Sequence, residues 1–95
     1  MSYELRLREA GGADVLRRLP PDTKKSIRAA LRRLVDDPQG ATNALDIHSL
    51  RVPPGTPATY RLRVGDWRIV YFLDGRTIRV FRIFERDEGY RWLEE

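Results

Sequence analysis

The side chains best equipped for chemistry in this chain are arginines set among apolar and aromatic residues: Arg61 and Arg63, then Arg68, then Arg82 and Arg86. A guanidinium offers a planar fork of N–H donors that pairs bidentately with the oxygens of a phosphate or carboxylate. Arg68 is the most telling of them, because it interrupts the apolar run Trp67-Arg68-Ile69-Val70-Tyr71-Phe72 and therefore needs a ligand or counter-ion. Its internal candidates are Glu85 and Asp87. A second basic group, Lys24, Lys25, Arg28, Arg32 and Arg33, has helical spacing and suits either a solvated face or contact with nucleic-acid phosphate. His48 is the single histidine, with no second ligand at metal spacing, and reads as a loop residue. Trp67 and Trp92 read as packing residues rather than base stackers. No metal or cofactor is expected.

The elements that position these residues follow from hydrophobic periodicity. Tyr3 to Leu7 alternates and predicts a first strand, closed by Gly11-Gly12. Ala13 to Leu19 predicts a short helix, and Pro20-Pro21 suits the start of a second. From Asp22 onward, Ile27, Ala30, Leu31, Leu34 and Val35 form one apolar stripe at helical spacing. Asp36-Asp37-Pro38 and Gly40 stop that helix, and acidic residues in its last turn would oppose the helix dipole. Residues 39–59, rich in Pro and Gly, predict mostly loop with a turn of helix around Ala44–Leu50. Strands follow at Tyr60–Val64, Trp67–Leu73 and Thr77–Phe84, with Gly65-Asp66 and Asp74-Gly75 as hairpin turns. Asp87 to Leu93 suits a short terminal helix.

The order β-α-α-β-β-β predicts an α+β fold: a mainly antiparallel four-stranded curved sheet with a helical hairpin on one face. Tyr60, Leu62, Val64, Trp67, Ile69, Tyr71, Phe81 and Ile83 should point toward the helices. Arg61, Arg63, Arg68 and Arg82 then share the open face, over a floor of Val70, Phe72 and Val80. Arg86 and Tyr90 lie past the last strand, where the chain can fold back over that face.

Composition sets the outer bounds. Ninety-five residues suit one domain spanning 1–95, and the formal charge of +4 rests on 16 arginines and only two lysines. Between Tyr60 and Arg86 seven arginines face three carboxylates, so the positive charge is local rather than spread evenly. That favours nucleic acid or an acidic protein as partner. The absence of cysteine removes disulfides, thiolate nucleophiles and Cys-based metal sites. No apolar run approaches a membrane span, and a cytoplasmic location is expected.

Tyr-Arg-Leu-Arg-Val-Gly-Asp-Trp-Arg-Ile-Val-Tyr (60–71), the Asp-Gly hairpin and Arg-Ile-Phe-Glu-Arg-Asp-Glu-Gly-Tyr-Arg (82–91) resemble the C-terminal half of the RelE/ParE superfamily of toxins. Leu-Arg-Arg-Leu-Pro-Pro (16–21), the amphipathic helix and Asp-Asp-Pro (36–38) resemble its N-terminal half. The resemblance implies the toxin of a type II toxin–antitoxin pair, held in check by a cognate antitoxin. RelE-like members cut mRNA in the ribosomal A site without metal, by attack of a ribose 2′-OH on the adjacent phosphate. ParE-like members poison DNA gyrase and lack the basic catalytic set. Here the RelE-like pattern places basic residues at Arg61 and Arg63, the phosphate-stabilising arginine at Arg68, the second arginine at Arg86 (or Arg82) and the C-terminal tyrosine at Tyr90. The expectation is a ribosome-dependent mRNA endonuclease; the alternatives are a gyrase inhibitor or a catalytically weak family member. Arginine replaces the usual lysines at 61 and 63, and Phe84-Glu85 stands where many relatives carry Gly-His. The general base therefore falls to Tyr90 or to a carboxylate such as Glu85.

Overall fold

The computed structural model describes residues 2–42 and 44–88. Tyr90, Trp92 and the expected helix over Asp87–Leu93, beyond Glu88, lie outside the described residues. The elements are β1 (Glu4–Leu7), α1 (Asp14–Arg18), α2 (Pro21–Leu34), β2 (Asp46–Ser49), β3 (Thr59–Val64), β4 (Trp67–Asp74), β5 (Thr77–Glu85) and a 3-10 turn at Arg86–Glu88. The fold is α+β, with the strands in the order β1-β5-β4-β3-β2. β1 runs parallel to β5, and every other pair is antiparallel.

The helices pack on one face of this sheet because their apolar residues fall on one stripe. Pro21 occupies the first turn of α2, where its missing N–H is no loss. Ile27, Ala30, Leu31 and Leu34 are buried, and they close on Leu62, Ile69, Tyr71, Ile78, Val80 and Ile83 from the sheet. Leu19, just past α1, joins the same core. The last turn of α2 carries Arg32 and Arg33, which suit the negative end of the helix dipole. The expected conflict with Asp36 and Asp37 does not arise, since the helix ends before them. Asp37 instead closes the next turn, accepting hydrogen bonds from Ala41 N (2.8 Å), Thr42 N (3.2 Å) and Thr42 Oγ1 (2.6 Å). Those bonds, the Thr42 hydroxyl's first, hold its pKa below the ordinary carboxylate value.

Three expectations are corrected. The sheet has five strands, not four, because Asp46–Ser49 forms an edge strand on β3 where a turn of helix was expected. Pairing to β3 gives the strand its backbone partners, which its own weak pattern of one apolar residue does not advertise. Second, Asp74 is the last rung of β4, paired with Thr77, so the tight turn is Gly75-Arg76, with Gly75 at φ 59. Third, the register between β4 and β5 jumps: Val70 pairs with Arg82, whereas Tyr71 pairs with Val80. Phe81 is the extra residue of a β-bulge, and a bulge re-aims side chains. Val80 therefore turns into the helix-side core with no exposed surface, and Phe81 leaves that core.

Candidate functional site

Cross-strand partners point to the same side of a sheet, so the register defines the open face rung by rung. One rung holds His48, Arg61, Val70 and Arg82, from β2 across to β5. The next holds Asp46, Arg63, Arg68 and Phe84. On the other side a third holds Thr59, Phe72, Arg79 and Arg6. Val70 and Phe84 are buried under this face, and Phe72 and Phe81 are partly covered. The apolar floor is thus Val70, Phe72, Phe81 and Phe84, with Phe81 in the place expected for Val80.

The cations on this floor are held in different ways. Arg61 is largely enclosed, its side chain 25% exposed, with Nη2 3.7 Å from Asp46 Oδ1. Its Nε is buried and has no hydrogen-bond partner among the described residues. Such a donor is costly unless an acceptor meets it, by about 1–3 kcal/mol. Arg63 beside it is exposed. Arg68 binds neither Glu85 nor Asp87. Its Nη1 donates instead to the Gly65 and Trp67 carbonyls, both at 3.0 Å, which ties the guanidinium back to its own hairpin turn. Gly65 opens that turn with φ 58, a conformation a side chain would resist. Arg86 comes to the same corner, its backbone N–H donating to Asp66 O at 2.7 Å. Its own Nε lies 3.8 Å from Asp87 Oδ1.

Arg82 reaches toward the sheet edge. A Cβ on Gly11 would sit 2.6 Å from Arg82 Nη1 and 2.7 Å from its Cδ, so only glycine lets the chain pass this arginine. Gly11 also has φ 82, and its N–H donates to Asp14 Oδ1 at 2.8 Å. Alanine at this position would strain the backbone. The Lys24, Lys25, Arg28, Arg32 and Arg33 group belongs to α2, whose apolar stripe faces the sheet; these cations point away from it and do not join the arginine face. Trp67 packs partly against the core, as its spacing indicated.

Three contributors were missed from sequence. Arg6 on β1 and Arg8 just past it alternate with Leu5 and Leu7, and Arg8 lies over the Phe81 ring at 4.6 Å. The alternation was visible, but β1's place beside β5 was not. His48, read as a loop residue, stands on β2 directly across from Arg61. Beside this face, the segment from Leu50 to Thr59 and the side chains of Val70, Phe72 and Phe81 line a largely apolar, open-sided cavity of about 420 Å³. Among the described residues no cluster of His, Asp and Glu is arranged to hold a metal. No described helix is long and apolar enough to cross a membrane.

The chain that folds into this sheet, with helices on one face and arginines across the other, is matched by a family model. Residues 13–90 fit that of the ParE toxin of the type II toxin–antitoxin system parDE. The chain belongs to the ParE toxin family. Solved structures of RelE-type toxins share its fold. A chain of the archaeal RelE–RelB complex from Pyrococcus horikoshii OT3 superposes with a TM-score of 0.76 at 21% identity, covering 94% of the toxin and 100% of that chain. The RelBE2 toxin–antitoxin complex of Mycobacterium tuberculosis gives 0.67 at 20% identity, covering 90% and 100%. A mutant of E. coli toxin RelE in the free state gives 0.64 at 16%, covering 99% and 94%. At these identities the likeness is one of fold. No curated protein sequence matches the toxin.

Proposed function

We propose that this toxin is a ribosome-dependent, metal-independent endoribonuclease that cuts mRNA in the A site and so stops translation in the cytoplasm. The observation that carries the reading is the pair of adjacent rungs bearing Arg61 on one and Arg63 with Arg68 on the next. Neighbouring strands lie ~4.8 Å apart, so three long guanidiniums from β3 and β4 can converge on one phosphodiester. When a 2′-oxygen attacks the adjacent phosphorus, negative charge grows on the non-bridging oxygens. Donors fixed in place beforehand stabilise that charge most, each contributing roughly 3–4 kcal/mol. Arg61, its side chain mostly enclosed and its Nη2 3.7 Å from Asp46 Oδ1, is such a donor.

The remaining residues take supporting roles in this reading. Arg82 and Arg86 supply the outer cations, and Tyr90 is a candidate proton carrier. Phe72 offers an aromatic face on which a splayed base can stack. Lys24, Lys25, Arg28 and Arg32, on the opposite side, suit ribosomal RNA phosphates through counterion release. The cognate antitoxin would silence the toxin by covering the arginine face.

A second reading is inhibition of DNA gyrase, favoured by the match to the ParE toxin family model. Induced expression followed by primer-extension mapping of mRNA ends separates the two. The endonuclease reading expects new 5′ ends within translated codons for the wild type and their loss in Arg68→Ala. Intact mRNA accompanied by DNA breaks would replace it with the gyrase reading.

A further inference from the structure

We infer that His48, held by Asp46, is the proton acceptor of this site. The inference rests on the endonuclease reading and answers what that reading leaves open, since arginine stabilises charge but takes up no proton near neutral pH. Imidazole is the side chain that does so in that range. β2 is the element that brings it in. Asp46 and His48 flank Ile47, which turns to the core side, so both project onto the open face. His48 stands across from Arg61 and Asp46 across from Arg63.

One carboxylate lies beside the imidazole. His48 Nε2 lies 3.1 Å from Asp46 Oδ1, and the same carboxylate oxygen lies 3.7 Å from Arg61 Nη2. The Asp46 carboxylate beside Nε2 favours the tautomer with its hydrogen there, which leaves the lone pair on Nδ1. Nδ1 has no hydrogen bond among the described residues, and the side chain is 65% exposed, so a ribose hydroxyl can reach it. The charged groups facing His48 are Asp46 on its own strand and Arg61 and Arg63 on β3.

The step balances as follows. The 2′-hydroxyl proton passes to Nδ1, and the O2′–P bond forms while the P–O5′ bond breaks. The 5′-oxygen takes a proton from solvent, and the imidazolium later returns its own to solvent. The products are a 2′,3′-cyclic phosphate and a 5′-hydroxyl. Asp46 is a positioning residue here, since it orients the ring and touches no reacting atom.

The test measures single-turnover mRNA cleavage in a reconstituted translating ribosome complex from pH 5.5 to 8.5, using wild type, His48→Gln, Asp46→Asn and Arg68→Ala. Wild-type cleavage should rise with pH, because the base acts when neutral. His48→Gln should cut at least about 10²-fold more slowly and lose that rising limb. Asp46→Asn should slow cutting by about 10-fold, an order-of-magnitude figure for a lost orienting partner, and keep the limb. Thermal melting of each variant reports whether it is folded. A folded His48→Gln that cuts at the wild-type rate, or keeps the wild-type pH limb, overturns the inference while leaving the endonuclease reading intact. Absence of cleavage by the wild type overturns both. Cleavage lost in Arg68→Ala but not in His48→Gln assigns the base elsewhere.

Discussion

Replacing Tyr71 with phenylalanine removes one oxygen from the centre of the sheet and leaves every carbon in place. Tyr71 has no exposed surface, and its hydroxyl donates to the Pro38 carbonyl at 2.6 Å. That bond ties β4, the strand carrying Arg68, to the loop after α2, next to the β-bulge. Pro38 is itself buried, so in the variant its carbonyl loses a partner that water cannot replace. The cost should be about 2 kcal/mol, which for a domain of this size lowers Tm by roughly 8–15 °C. The pH dependence provides a second check. Burial raises the Tyr71 pKa above its ordinary value of 10.0, with the charges of Tyr60 and Asp37 adding to it. The unfolded chain therefore ionises this phenol first. The stability it contributes is complete below about pH 10 and is lost as pH rises above that. Wild type should lose up to ~1.4 kcal/mol per pH unit there from this group, and the variant none. The gap between them should thus shrink from pH 10 to pH 11. Urea unfolding followed by tryptophan fluorescence from pH 7 to 11 measures both. An unchanged midpoint at pH 7, or a gap that stays constant through pH 11, would refute the reasoning.

Other outcomes follow from individual contacts. Arg68→Ala should cut mRNA about 10²–10³-fold more slowly. Its urea midpoint should barely move, within about 0.5 kcal/mol, because the Gly65 carbonyl it leaves lies on an exposed turn. Gly11→Ala should destabilise by about 1–2 kcal/mol through the positive φ alone and also displace Arg82, read as a lower Tm and weaker RNA cutting. Asp37→Asn should flatten the acid limb of stability. The depressed carboxylate pKa gives stability present above the ordinary value of 3.8 and lost as pH falls below it, and asparagine has no such group. Urea midpoints at pH 3 and pH 7 report the difference.

The parts of this fold legible in sequence are those where periodicity and burial agree. The stripe Ile27, Ala30, Leu31, Leu34 fixes one helix face. The alternation in residues 60–72 separates Arg61, Arg63 and Arg68 from Leu62, Ile69 and Tyr71, and the register upholds that parity. Beyond Val70 the parity fails on β5, because Val80-Phe81 are adjacent apolar residues and either can turn inward. Only the paired strand, with its extra residue, decides that Val80 does. β2 was hidden for a different reason. Asp-Ile-His-Ser carries one apolar residue and sits among glycines and prolines, and it becomes a strand through the edge that β3 offers. With β2 unseen, His48 had no partner and looked like a surface histidine. Arg6 was likewise on a recognised strand, with Arg8 just past it, and no local pattern identifies that strand's neighbour, β5, far later in the chain. The partner of Arg68 was misjudged because carboxylates were sought where turn carbonyls serve.

The central claim is that this arginine face cuts RNA held by the ribosome. The most direct measurement adds purified toxin to mRNA alone, to mRNA on stalled ribosomes with an empty A site, and to supercoiled DNA with gyrase. The account predicts cleavage of the ribosome-bound mRNA within the A-site codon, with a 2′,3′-cyclic phosphate end and no requirement for divalent metal beyond that of the ribosome. Intact ribosome-bound mRNA, with gyrase trapped on broken DNA, would contradict it.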